Sequence, residues 1–261
     1  LKAMEASGYS TQILQDFKQL KDAILLDKQA LEQFTLQALT AYNRFAKAKS
    51  EVEVLFKPGD EFVKNLSTNI QNLVNNDLKN AVTSIDALSA SYQAASALFT
   101  DAADNQAVMV SGLKLAKAGG ADASAVMKVL TQTIRAYGLA ANDADKVSAA
   151  LNKTIQLGIT TLPELSQGFA QTAVVAKEAG IKLEELSGAV AALTLKGSST
   201  PTALTGIESL ARVIINKTPE ATAALKELRD EAGKPIKFDI AEIKAIGLTK
   251  ALQNLNKATN G

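Results

Sequence analysis

Two pairs of neighbouring carboxylates are the residues of this sequence whose types and spacing could do chemistry. Glu184 is followed directly by Glu185, and Asp143 and Asp145 are two positions apart. A glycosidase needs two such carboxyl groups, one of them as the acid. Each pair lies in the first turn of a predicted helix, where acidic side chains interact favourably with the helix dipole. We therefore interpret both pairs as helix-start residues.

The remaining candidates for chemistry are equally well explained by helix ends. Ser198-Ser199-Thr200 could supply a nucleophile, but the chain has no His and no Cys, so the base would have to be a lysine. Gly119-Gly120 has no preceding strand and no following Lys-Ser/Thr, so it is not a phosphate loop. Neither zinc-ligand spacing nor a calcium loop is present. The sequence predicts no enzyme, no cofactor and no metal site.

Composition favours a helical protein with a core of small aliphatic residues. Of the 261 residues 47% are hydrophobic, yet only 5% are aromatic and Trp is absent. The 28 basic and 27 acidic residues nearly cancel, so no specific nucleic-acid site is expected. No apolar run approaches the roughly 18 residues that span a bilayer. Because the first residue is Leu1, we expect a piece of a longer chain.

A series of glycines indicates how the helices end. They are spaced 18, 20, 22 and 17 residues apart, and we predict that each terminates a helix: Gly120, Gly138, Gly158, Gly180 and Gly197. Three are followed by Leu139, Ile159 and Ile181, which is typical of a left-handed glycine with the next apolar residue folded back on the helix. The predicted helices are 102–118, 122–137, 142–157, 162–179, 183–196 and 200–216. They form short hairpins. We expect a further helix from Pro219 to about Ala232, an extended segment at 233–239, and a last helix from Ile240 to about Lys257 that Gly247 bends or divides.

Two longer helices without Gly or Pro are predicted before this series, at 10–56 and at about 60–99. Each carries apolar residues at heptad spacing, which form a helix-packing seam: Ile13, Phe17, Leu20, Ile24, Leu31, Phe34, Phe45, Val52, Leu55, Val74, Leu78, Ile85, Leu88, Tyr92 and Phe99. Asp27 falls on a core position, where it could set the register, or the repeat slips there and Asp27 is solvated. The two helices could form a coiled-coil hairpin, or each could join a bundle with copies of itself. The predicted fold class is thus all-α, with domains at 1–99 and 100–261.

The second domain also carries a family resemblance. Its ordered features include Tyr137-Gly138-Leu139, the run from Leu157 to Leu165, the run from Ile181 to Leu186, and the Lys217-Thr-Pro219 turn. In this order they resemble the conserved core region of phage tail tape measure proteins. Lys182 departs from the pattern, since the family has a small capping residue there, and we expect a weaker helix start.

The resemblance implies a structural role in the virion. Such a protein lies inside the tail tube, templates tube assembly so that tail length follows chain length, and is ejected to help DNA cross the host envelope. The implied partners are copies of itself, tail tube and baseplate or tail-tip proteins, and the host envelope on ejection; assembly takes place in the host cytoplasm. The alternatives are an α-helical pore-forming protein and a generic coiled-coil scaffold.

Overall fold

The computed structural model describes residues 28–56, 61–78, 82–229 and 233–259, and most of these residues are α-helical. The β structure within them is one isolated antiparallel bridge between Arg229 and Pro235. The predicted all-α fold class is therefore confirmed.

The chain divides into two compact units, Leu1–Thr131 and Gln132–Gly261. The described helices that begin in the first unit are α1 (Lys28–Glu53), α2 (Glu61–Lys64), α3 (Leu66–Asn72) with a π-helical turn after it (Leu73–Asp77), α4 (Ser84–Ser96), α5 (Ala102–Gly119) and α6 (Ala123–Tyr137). The helices of the second unit are α7 (Ala144–Leu157, preceded by a 3₁₀ turn at Ala141–Asp143), α8 (Leu162–Ser166), α9 (Phe169–Glu178), α10 (Leu183–Leu195), α11 (Thr200–Ile215), α12 (Pro219–Glu227), α13 (Ile240–Ile246) and α14 (Leu248–Ala258). The division falls inside α6, and domains bounded at residues 99 and 100 remain a prediction.

In the first unit, α4 packs against α1, α3 and α5. A buried polar network fixes the turn between α4 and α5. The Asn105 side-chain amide donates to the carbonyls of Ser91 (3.0 Å) and Phe99 (3.1 Å), and its oxygen accepts the Ser91 hydroxyl (2.8 Å). Because every polar group of this fully buried side chain is satisfied, the network orients the two helices rather than opposing folding.

The turn between α4 and α5 contains a strained residue. Leu98 has φ 69°, in the left-handed region, and its side chain is 73% exposed. The Phe99 amide donates back to the Ala94 carbonyl at 3.0 Å, which is the hydrogen bond of a helix end that usually carries glycine. A leucine at this position therefore strains the backbone and gains little burial in return.

In the second unit, α10 lies between α7 and α11, and α9 also packs against α11. The fully or nearly fully buried core residues are mostly aliphatic, as the composition predicts, with Phe169 as the largest. Ile236 and Phe238 of the extended segment are also buried, whereas Lys237 between them is exposed. The last predicted helix is divided at Gly247 into α13 and α14, as expected.

The predicted unbroken helix at 60–99 is wrong. The helical path ends after the π-helical turn at Asp77 and restarts at α4, where Thr83 and Asp86 form a capping box. The Asp86 carboxylate accepts the Thr83 amide at 3.0 Å, and the Thr83 hydroxyl accepts the Asp86 amide at 3.1 Å. Heptad spacing continues across the break, so the apolar pattern alone conceals it.

Two other helix bounds also differ from the prediction. The predicted helix at 162–179 is split into α8 and α9 at Gly168, which lies against Leu204 of α11. The predicted helix from Pro219 to Ala232 ends at Glu227, because the Arg229 guanidinium bonds the carbonyls of Lys226 and Leu228. Ala232 itself and residues 10–27 of the first predicted helix lie outside the described residues.

Within residues 28–56, 61–78, 82–229 and 233–259, no helix is both long enough and apolar enough to cross a membrane.

Replacing the strained leucine tests this reading of the α4–α5 turn. Leu98→Gly should stabilise the chain by up to about 1 kcal/mol in chemical denaturation, because glycine adopts a positive φ without strain. Leu98→Ala is the matched control, since it removes the exposed side chain but keeps the strained backbone. A Leu98→Gly variant no more stable than Leu98→Ala would show that the turn is not strained.

Candidate functional site in the helix-packing contacts

Four of the five predicted helix-terminating glycines lie in the left-handed region. Gly120, Gly138, Gly180 and Gly197 have φ of 59°, 64°, 83° and 98°, and they follow α5, α6, α9 and α10. The residue after each glycine donates its amide to a carbonyl five residues earlier, for example Ile181 to Ala176 at 2.9 Å. These bonds satisfy carbonyls that a helix end otherwise leaves without partners.

Gly158 ends α7 differently from the expectation. Its φ is −107°, which is extended rather than left-handed. A Cβ at this position would lie 2.8 Å from the Ala191 Cα and 2.5 Å from the Thr194 hydroxyl of α10. The glycine is therefore required by the close approach of two helices. For the same reason the chain turns outward, and Ile159 is 69% exposed instead of folding back on α7.

The seam residues of the first unit are buried or half-buried where the structure describes them. Phe45, Val52, Val74, Leu78, Leu88 and Phe99 are buried, while Leu55, Ile85 and Tyr92 are half-buried. Ile13, Phe17, Leu20, Ile24 and Asp27 lie outside the described residues, as do the side chains of Leu31 and Phe34. Since α1 packs against α4, the C-terminal part of the α1 seam is occupied within the chain.

The N-terminal part of α1 leaves a second apolar stripe exposed, which the heptad analysis missed. Leu36, Leu39 and Tyr42 are 67%, 54% and 42% exposed. A groove of about 350 Å³ lies beside them and is lined by Leu36, Gln37, Thr40, Ala41, Arg44 and Ile85. The sequence shows that these three apolar residues are three positions apart. They do not fall on the heptad positions of the α1 seam, so the heptad pattern did not include them.

The Glu184 and Glu185 carboxylates lie at the start of α10, and each has its own partners. Glu184 pairs with Lys146 at 3.2 Å, and its pKa is lowered by a hydrogen bond to its own backbone amide and by that lysine. Glu185 accepts the Lys182 amide at 3.2 Å and the Leu248 amide at 2.7 Å. One carboxylate thus caps both α10 and α14, which compensates for the absence of a small residue at position 182.

The other acidic residues in question also accept backbone amides. The Asp143 carboxylate accepts the Ala140 amide at 3.0 Å, before α7. Glu164 accepts the Thr161 amide at 2.8 Å and the Thr161 hydroxyl at 3.1 Å, and these bonds lower its pKa. Its carboxylate also accepts the Thr200 hydroxyl at 3.4 Å, so it links the starts of α8 and α11.

One buried hydroxyl group lies beside the α10 carboxylates. Burial raises the pKa of Tyr137 above its ordinary range, and the charges of Glu184 and Glu185 raise it further. The Tyr137 hydroxyl has no hydrogen-bond partner in the described part of the chain, and the Lys177 ammonium lies 5.8 Å from the ring centroid. Such a phenol stays protonated at neutral pH and is a poor general base. Residues 28–56, 61–78, 82–229 and 233–259 contain no cluster of three acidic groups placed to hold a metal ion.

Comparison with known proteins assigns the chain to a family. The sequence profile of the phage-related minor tail protein family matches residues 58–261. The chain belongs to this family. It is therefore a phage tail structural protein and a virion component, and the predicted resemblance to phage tail proteins is confirmed.

A more specific likeness is to a tape measure protein of Pneumococcus phage Dp-1. The two are 28% identical in an alignment of 158 positions, and the alignment covers 56% of this chain and 14% of that protein. The chain thus spans a small part of the length of this relative. No solved structure matches the chain.

The close contact at Gly158 gives a direct test of small-residue packing in this member of the family. Gly158→Ala should destabilise the chain by about 1–3 kcal/mol, because the added methyl group meets the α10 backbone. Gly188→Ala is the control within α10, where a Cβ meets nothing within 4 Å. That control should stabilise the chain by about 0.5–1 kcal/mol, as expected for alanine inside a helix. Denaturant titration measures both; equal effects of the two substitutions would contradict the close approach.

The shared cap at Glu164 predicts a pH dependence of stability. Because the folded-state pKa lies below the ordinary value of 4.5, the carboxylate stabilises the fold above that pH, and this stabilisation is lost as the pH falls through the folded pKa. Glu164→Gln should therefore be less stable than the parent chain at neutral pH, and the difference should shrink in acid. Thermal unfolding across this range measures the effect.

A second substitution tests the contribution of the Thr161 hydroxyl to that pH dependence, while the Thr161 amide, which lowers the Glu164 pKa most, is retained. In a Thr161→Ala background the pH-dependent difference between Glu164 and Gln should be smaller, because the threonine hydroxyl no longer bonds the carboxylate. An unchanged difference would exclude the Thr161 side chain as a cause.

Proposed function

We propose that the chain is a segment of a tape measure protein that lies in the lumen of the tail tube. Two observations carry this proposal: the 28% identity to a tape measure protein over 158 residues, and the ordered series of short capped helices. In this proposal tube subunits assemble around the protein, tail length follows its length, and the protein leaves the tube ahead of the genome to help DNA cross the host envelope.

A helix is a suitable length standard because it converts residue number into distance at about 1.5 Å per residue. The 26 residues of α1 correspond on this basis to about 39 Å. Contacts between copies of the protein, and with tail tube and baseplate or tail-tip proteins, would keep it aligned with the tube. The exposed stripe of Leu36, Leu39 and Tyr42 supports self-association. The C-terminal part of the α1 seam is already covered by α4 and is therefore not available for it.

The proposed role is mechanical rather than enzymatic. The carboxylates that could form a catalytic pair are instead engaged at helix starts, with Glu184 on Lys146 and Glu185 on the Leu248 amide. A protein that acts by its length also needs no reactive pocket.

Changing chain length in the complete parent gene tests the proposal. Deleting Leu31–Arg44 removes two heptads, and the mean tail length should fall by about 21 Å at 1.5 Å per residue. Duplicating the same segment should lengthen the tail by a similar amount. Averaged electron micrographs of purified tails measure both changes.

The control replaces Leu31–Arg44 with an unrelated helix-forming sequence of the same length. Tail length should then be unchanged, because in this proposal it depends on the number of residues and not on their side chains. Tails of parental length after both the deletion and the duplication would favour a pore-forming or scaffold protein.

A further inference from the structure

The extended segment between α12 and α13 has the geometry of a single edge strand. The Ile236 amide donates to the Leu228 carbonyl at 3.1 Å, and Pro235 forms an antiparallel bridge with Arg229. Side chains alternate along it, since Ile236 and Phe238 are buried while Lys237 is exposed. Two adjacent residues of a strand present their main-chain groups to opposite sides. One side of this segment is therefore already paired.

The other side of the segment is available for pairing. Because the Ile236 amide points to Leu228, the amide and carbonyl of Lys237 point away from it. Neither group of Lys237 forms a hydrogen bond to another residue in the described part of the chain. Lys237 can thus exchange both main-chain bonds with an added strand, and Pro235 contributes a carbonyl without an amide.

A shallow basic cavity adjoins this segment. It has a volume of about 280 Å³, with Leu225, Ile236 and Phe238 supplying apolar surface. Lys217, Lys226 and Lys237 line it, against one acidic residue, Asp239, which lies 3.8 Å from the Lys217 ammonium. The Asp239 carboxylate is also engaged as the cap of α13, where it accepts the Glu242 amide at 2.9 Å. Positive charge therefore exceeds negative charge among the lining side chains.

We propose that this edge binds an acidic segment of a partner protein, which adds as a short extended strand beside Lys237. Main-chain hydrogen bonds supply binding in this mode, and the side chains along the edge supply specificity. The three lysines favour aspartate or glutamate on the incoming strand. They also disfavour a second copy of the same segment, since Lys237 would face another lysine, and proline and lysine at an edge oppose self-pairing.

Binding of short capped peptides to the 261-residue chain tests the proposal. The probe alternates aspartate with valine; a second peptide has lysine in place of aspartate, and a third is the acidic peptide with alternate amides methylated. We expect the acidic peptide to bind at least roughly tenfold more tightly than the other two in calorimetry. The Lys237 amide should shift in NMR spectra and exchange more slowly with solvent when this peptide is bound.

Two charge reversals locate the binding site. Lys237→Glu should weaken binding of the acidic peptide by at least roughly tenfold. Lys250→Glu is the matched control on α14, because Lys250 is exposed and does not line the cavity. Binding of the acidic peptide should be unchanged in that variant, and both variants should retain the helical circular dichroism of the parent.

Several results would overturn the proposal. Equal binding of the acidic and basic peptides would remove the charge argument, and equal binding of the methylated peptide would remove strand pairing. The absence of binding, or retention of binding by Lys237→Glu, would exclude this edge. Concentration-dependent self-association that Lys237→Glu abolishes would instead assign the edge to a second copy of the chain.

Discussion

Close approach of helix backbones at small residues is the constraint on which the rest of this structure depends. The α7 end can lie against α10 because Gly158 has no Cβ to meet Ala191. In the first unit, the absence of a Cβ at Gly112 of α5 leaves room for the side chain of Met127 in α6. The helices are joined by short connections, so the backbone groups at their ends need glycine caps or neighbouring carboxylates as partners.

Capping therefore engages several of the polar side chains that could otherwise do chemistry. Left-handed glycines satisfy carbonyls at four helix ends, and carboxylates satisfy amides at helix starts. Glu185 shows how far this extends, because it accepts the amide of Leu248, which is 63 positions away in sequence. Groups that could have formed a catalytic pair are instead part of the framework. A helical framework whose reactive groups are engaged in this way agrees with a structural protein of the phage tail.

Local signals predicted the parts of the fold that depend on local geometry. A glycine before an aliphatic residue indicates a left-handed helix end, and Gly138 and Gly180 adopt one. Gly158 has the same local sequence, but its conformation is set by Ala191 of a distant helix, which no short pattern reveals. The break before α4 was hidden for a related reason: apolar spacing continued through Thr83, while the capping box that starts the helix involves only two side chains.

The double role of Glu185 and the exposed edge at Lys237 could not be predicted, because both depend on tertiary contacts. The paired acids were correctly placed at a helix start, but their partners lie on other helices. The extended segment at 233–239 was predicted, whereas its unpaired side became evident only from the direction of the Ile236 amide. The sequence therefore predicted most of the helices and their ends, but not the surfaces that the packed helices leave exposed.

Protease protection of this chain in intact virions tests most directly whether the protein lies inside the tail tube. The chain has 28 lysine and arginine residues, and trypsin could cleave after all of them except Lys57 and Lys234, which precede proline. Mass spectrometry should detect almost no peptides from residues 1–261 after digestion of intact particles, and should detect them once genome release has been triggered. Equal digestion before and after release would place the chain on the outside of the tail and contradict the account.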